Sequence, residues 1–128
     1  ALDALGPLLG AGVGLALHTY HLNIEVKRPA DAIRAAGAAL AHVQVFGSER
    51  GAVGDDHTDW PEFIRAIDDI GYDGAISLES FTGENATIAV AASVWRPLAS
   101  SQDDLAERSM RALRRLGAGG RPDTKEKP

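Results

Sequence analysis

Three stretches of this chain alternate between apolar and small or polar residues with the period of a β-strand. In the first, Val13, Leu15 and Leu17 share one face, and Gly14, Ala16 and His18 share the other. In the second, Val43 and Val45 oppose His42 and Gln44. In the third, Ile76 and Leu78 oppose Ala75, Ser77 and Glu79. Side chains point to opposite sides along an extended backbone, so each stretch reads as a short strand with one greasy face.

Helical spacing fills the gaps between them. Pro29 suits a first helical turn, and Ala32, Ile33 and Ala36 continue an apolar side. Asp59-Trp60-Pro61-Glu62 has the form of an N-cap, with proline in the first turn and glutamate at its third position. Phe63, Ile64, Ile67 and Ile70 then predict a buried stripe that Gly71 ends. Ser101-Gln102-Asp103-Asp104 opens a last helix, with Leu105, Met110, Leu113 and Leu116 on its apolar side and Gly117 as its stop. The tail from 117 to 128, GAGGRPDTKEKP, has nothing to bury and is expected to be disordered.

The order is strand-helix three times over, with crossovers long enough to require parallel pairing. One strand face ends in His18, Gln44 and Glu79, which are 26 and 35 positions apart. Equivalent points on successive parallel strands lie side by side at the carboxyl edge, where α/β folds keep their sites. The three residues are therefore expected to converge. Imidazole and oxygen donors so gathered suit a divalent ion; equally, they suit a hydrogen-bonded polar cap. Arg50, six residues past Gln44 in the loop GSERGAVGDDH, is the nearest cation able to reach the same mouth, unless it is merely solvated. Asp55, Asp56 and His57 in that loop read as surface polar groups, and Asp73 in GYDG reads as a turn residue.

Composition narrows the partners. Of 128 residues, 45% are hydrophobic and 24% charged, as in a single globular domain. A net charge of -5 offers no basic stripe for a nucleic acid. The absence of cysteine excludes disulfides and thiolate metal sites and fits a reducing, cytoplasmic setting. No apolar run reaches membrane-spanning length, so no membrane partner is expected.

The motifs LHTYHLNIE, HVQVFGSERGAVGDDHTDW, IGYDGAISLESF and SVWRPLASSQDDLAERSMRALRRL occur in that order from about Gly12 to Leu116. Together they resemble the xylose-isomerase-like sugar isomerases and epimerases, in particular the ketose 3-epimerases of the D-tagatose and D-psicose (allulose) type. The corresponding family patterns are LDTFHMNIEE, H-x-H-x-G-E-x-N-R-G-x-P-G-x-G-x-x-D-W, IGYDG-x-x-x-x-E-x-F and VWR followed by D-x-L-A. The resemblance implies a (β/α)8 TIM barrel in which manganese, cobalt or magnesium is held by Glu, Asp, His and Glu from four strand ends. It implies that Glu79 is both a metal ligand and a catalytic acid/base, that His21 contacts the sugar and that Arg50 holds sugar oxygens.

The sequence also departs from that pattern. His18 stands where the family has a metal-binding aspartate, so His18, Gln44 and Glu79 are the implied metal set, weakened for a hard ion. Gln44 replaces a ligand histidine, as in the hydroxypyruvate-isomerase branch. Val53 and Asp56 replace a proline and a glycine. The first family glutamate has no counterpart here. A full barrel needs about 250 residues. Residues 1–116 therefore read as its carboxyl-terminal portion, about the last three strand-helix units. The expected activity is metal-assisted proton transfer α to a sugar carbonyl, in a chain that associates with itself or with a missing amino-terminal half. The alternatives are an enzyme like hydroxypyruvate isomerase or inosose dehydratase, and a non-catalytic barrel remnant that binds a sugar or a partner chain.

Overall fold

Strands and helices alternate along the chain, and each strand is laid parallel to the one before it. The computed structural model describes residues 1–81 and 83–118. After a short helix α1 (Leu2–Leu5) and a 3-10 turn, the elements are β1 (Leu15–His18), α2 (Thr19–Glu25), α3 (Pro29–Ala36) and β2 (Leu40–Val45). They continue with α4 (Trp60–Asp69), β3 (Ile76–Leu78), α5 (Ala86–Ala91) and α6 (Gln102–Arg115). The sheet order is β1-β2-β3, parallel throughout.

One sheet face is the core. Val43 and Val45 are fully buried beneath Ile33 of α3, Phe63, Ile64 and Ile67 of α4, and Leu113 of α6. Each such side chain contributes about 1.5–3 kcal/mol by leaving water. The opposite face carries Ala16, His18, Gln44, Ser77 and Glu79, with Ala16 exposed and the other four half-buried. In register His18 is level with Gln44 and Gln44 with Ser77. Glu79 lies two residues further on the same side, its backbone N–H donating to the Val45 carbonyl at 3.2 Å.

The helix boundaries follow their capping chemistry. Asp59 accepts from the backbone N–H of Glu62 at 3.0 Å, and Ser101 accepts from that of Asp104 at 3.0 Å. Asp103 and Asp104 in the first turn of α6 and Arg114 and Arg115 in the last complement the helix dipole. Gly71 and Gly117 leave their helices at φ +67° and +80°, which a side chain would resist.

Several expectations are corrected. Val13 is not in β1; it is 38% exposed and makes only an isolated bridge to Leu9. Alternation alone could not see that β1 begins only where β2 is there to pair with it. Helices α2 and α5 were not anticipated: α2 starts directly at the end of β1, and α5 is capped by Asn85 accepting from Thr87 and Ile88. On α6 the buried stripe is Leu105, Ser109 and Leu113, while Met110 is 40% exposed. The Ser109 hydroxyl tolerates full burial because it accepts from the Val53 N–H at 3.0 Å. Of the tail, only Gly117 and Ala118 are described; the rest of that expectation falls outside the described residues.

Candidate active site at the carboxyl edge of the sheet

His18 is the last residue of β1 and the N-cap of α2. The strand-to-helix switch at this point aims its ring across the sheet edge. Its Nε2 stands 2.6 Å from Oε2 of Glu79, above Gln44 of the middle strand. The His18 side chain is 16% exposed and that of Glu79 33%. The predicted convergence of His18, Gln44 and Glu79 on one face is therefore what the structure contains. His18 Nδ1 is buried with no hydrogen-bond partner among the described residues. Its ring is hemmed in by Phe46 and His21, with centroids 5.0 and 4.9 Å away.

Helix α2 carries the next side chains. Tyr20 presents its ring to Arg50, whose guanidinium carbon lies 4.1 Å from the ring centroid, with Phe81 on a second side at 5.1 Å. Such stacking holds a cation while leaving its N–H groups free to donate. Arg50 adopts φ +69°, in a turn where its N–H donates to the Gly47 carbonyl at 2.9 Å. A left-handed residue with a side chain costs about 1–2 kcal/mol, which the surrounding loop must offset. Arg50 Nε is buried with no hydrogen-bond partner among the described residues. His21 is exposed beside Tyr20 and His18. Thus Arg50, His21, His18 and Glu79 occupy one mouth.

The loop that delivers Arg50 is built rather than slack. Thr19 Oγ1 donates to the Phe46 carbonyl at 2.9 Å and accepts from the Phe46 N–H at 2.8 Å, joining α2 to the end of β2. Asp56 is not the surface group expected. Its carboxylate accepts from the N–H groups of Ser48, Gly54 and Thr58 and from the Trp60 indole at 2.7 Å. Burial would push its pKa up; the donors of Thr58, Trp60 and Ser48 outweigh that and hold it below the usual carboxylate value. Asp55 is on the surface, as expected, and pairs with Arg108. His57 is exposed but bonded at both ring nitrogens, to Ser48 and Asn23. Asp73 is an exposed residue of the loop before β3.

Sequence reasoning missed the aromatic wall of Tyr20, Phe46 and Phe81. The signal was present: three of the chain's five phenylalanines and tyrosines fall one to three residues beyond a strand end.

The donor set does not fit a resident divalent ion by itself. Two ligands at about 2.1 Å from one octahedral ion stand roughly 3 Å apart, farther than this pair, which is closed around a shared proton. Among the described residues no three His, Cys, Asp or Glu side chains group closely enough to hold an ion. Gln44 adds only a neutral amide. The expected metal set of His18, Gln44 and Glu79 thus stands on one sheet face, with His18 and Glu79 hydrogen-bonded to each other beside the Gln44 amide.

The profile of the xylose isomerase-like TIM barrels matches residues 5–116. This chain belongs to that family. The TIM-barrel chain is 36% identical over 102 residues to an L-ribulose 3-epimerase of Methylomonas sp. (strain DH-1), covering 78% of itself and 36% of that protein. It is 37% identical over 112 residues to a D-psicose 3-epimerase of Agrobacterium fabrum, covering 84% of itself and 39% of that protein. Among solved structures, a D-allulose 3-epimerase from Methylomonas sp. in complex with D-allulose superposes with a TM-score of 0.81 at 33% identity. That match covers 90% of this chain and 41% of the other. The chain therefore spans well under half the length of these relatives, and its three parallel strands are a partial TIM barrel. No helix among the described residues is long and apolar enough to cross a membrane.

Proposed function

We propose that this chain is the part of a sugar epimerase of the ketose 3-epimerase type that carries one proton-transfer face and the groups that hold the sugar. The observation that carries the reading is the His18–Glu79 pair at 2.6 Å on the same sheet edge as Arg50. Glu79 is the acid/base. His18 engages Oε2, which leaves Oε1 to take the proton from the sugar carbon next to the carbonyl. The C–H electron pair moves into the carbon–carbon bond, and the carbonyl π pair moves onto its oxygen. The Arg50 guanidinium, stacked on Tyr20, is the cation that meets this negative charge, and His21 hydrogen-bonds a sugar hydroxyl. Returning the proton from the same face restores the starting sugar; returning it from the opposite face inverts the centre. The group for that second face comes from outside these 128 residues.

This division predicts an unusual signature. In D2O, the chain alone is expected to exchange the C3 proton of D-allulose or D-fructose without inverting the carbon. Mass spectrometry and NMR of the recovered sugar read both events. Glu79→Gln should lower the exchange at least tenfold, about 1.4 kcal/mol in the barrier. Sugar binding without any exchange above the glutamine variant would overturn the catalytic assignment and leave the sugar-binding remnant.

A further inference from the structure

Two groups assigned to the sugar ride on different segments: His21 on α2, and Arg50 in the loop after β2. In the mouth itself Arg50 stacks on Tyr20 of α2. Behind the mouth, Thr19 ties the start of α2 to Phe46, and a second side chain ties the helix closer to Arg50. His57 Nε2 lies 2.9 Å from Oδ1 of Asn23, two residues beyond His21 on the same helix. Its Nδ1 lies 3.1 Å from Oγ of Ser48, two residues before Arg50. Because the Asn23 carbonyl oxygen can only accept, Nε2 carries a proton, and the Ser48 hydroxyl is shared between Nδ1 and the Glu49 carboxylate at 3.3 Å.

We infer that His57 is a positioning residue, a bridge that fixes the distance between His21 and Arg50 and so sets how tightly the mouth holds a sugar. The reasoning is geometric. Arg50 sits in a left-handed turn, and its guanidinium is held only by ring faces, which resist sliding weakly. The segment carrying it is fastened at both ends, by Thr19 to Phe46, four residues before Arg50, and by Ser109 to Val53, three residues after it. Between those fasteners Ser48 is the point nearest Arg50 with a side-chain tie to α2, and that tie runs through His57. Asp56 supports the same bridge from below, accepting from the Ser48 N–H at 3.2 Å and from the Thr58 N–H at 2.8 Å. Thus both ends of the bridge, and the residues either side of His57, are held.

The inference rests on the sugar-binding reading of His21 and Arg50, and its test separates the two. D-Allulose is titrated into the 15N-labelled 128-residue chain, and the affinity is read from amide shifts for wild type, His57→Ala, Asn23→Ala and the double variant. His57→Ala is expected to weaken binding roughly fivefold, and Asn23→Ala by a similar factor, as befits loss of one hydrogen-bonded link. The double variant should be no weaker than the worse single one, because both break the same bridge. His57→Gln, which keeps a donor for Asn23, should recover part of the loss. Independent effects that multiply in the double variant, or wild-type affinity in His57→Ala, would overturn the bridge. Absence of any wild-type binding would instead overturn the proposed function. In that case the bridge is still decided by amide exchange: His57→Ala should speed exchange at Arg50 and leave the core strand β2 unchanged, and equal protection at Arg50 refutes it.

Discussion

The imidazole of His18 and the carboxylate of Glu79 meet at 2.6 Å although they come from the two outer strands of the sheet, 61 residues apart in the chain. They pass over Gln44, which sits on the strand between them. At that distance the two side chains hydrogen-bond directly to each other.

Magnesium is therefore expected to bind the chain poorly. Glu79 is the only anionic side chain of the expected set, and part of its capacity is spent on His18. His18→Asp restores a second carboxylate. A unit charge about 4 Å away contributes about 1 kcal/mol even in water-like surroundings, so magnesium should bind at least roughly fivefold tighter to the variant. Calorimetric titration reads both. Equal or weaker binding by His18→Asp would contradict the role given to charge here.

Thr19 should be worth more than a surface threonine. Its hydroxyl is buried and serves both the N–H and the carbonyl of Phe46. Thr19→Val keeps the shape and strands two backbone groups away from water, which costs about 2–6 kcal/mol at about 1–3 kcal/mol per group. Thr19→Ser keeps both bonds and should lose under about 1 kcal/mol, mostly of methyl packing. Urea unfolding of the three proteins separates the cases, and a valine variant as stable as wild type would show that water replaces the hydroxyl.

Asp56 makes the loop's stability depend on acid. Its folded pKa lies below the ordinary value of an aspartate carboxyl, so its contribution is complete above the unfolded carboxylate's pKa. It is lost as pH falls through the lower folded value. Asp56→Asn cannot accept at both oxygens from four donors and should lower the melting temperature at pH 7 by several degrees, for about 1–3 kcal/mol. The gap between variant and wild type should close as the pH is taken from 5 to below 3. A gap that is constant with pH would mean that the carboxylate charge is not what the donors hold.

What the sequence disclosed followed from periodicity and capping. The alternation over 13–18, 42–45 and 75–79 located all three strands, though not their bounds, and their common face brought His18, Gln44 and Glu79 together before any coordinates did. Caps at Asp59 and Ser101 fixed α4 and α6. The misses have one cause. Asp56, His57 and Ser109 are polar, and nothing local distinguishes a polar side chain that faces water from one that collects donors from across the fold. Val13 erred the other way: its alternation is correct, but the neighbour that would make it a strand is absent from the sheet. His18 was legible as a converging group, while its direct hydrogen bond to Glu79 depends on a distance that no spacing contains.

Finally, the 128-residue chain by itself is expected to associate with other chains rather than remain a monomer. β1 and β3 each pair only with β2, so the outer edge of each offers unpaired N–H and carbonyl groups among the described residues. The face opposite the core is thinly covered, with Gly14 and Ala16 exposed. Below β3 a cleft of about 410 Å³ is lined by Ile64, Ile67, Tyr72, Met110 and Leu113, so apolar surface is open there as well. Edges protected by charge or bulges resist pairing; β3, read as ISL, has neither. Strand addition at either edge would satisfy backbone groups that otherwise rely on water, and it is the cheapest way for this sheet to grow. Light scattering over a hundredfold concentration range should show rising mass, and amide exchange at 15–18 and 76–78 should slow as concentration increases. A mass that stays monomeric, with strong protection of both strands at the lowest concentration, would show instead that three strand-helix units suffice to make an independent domain.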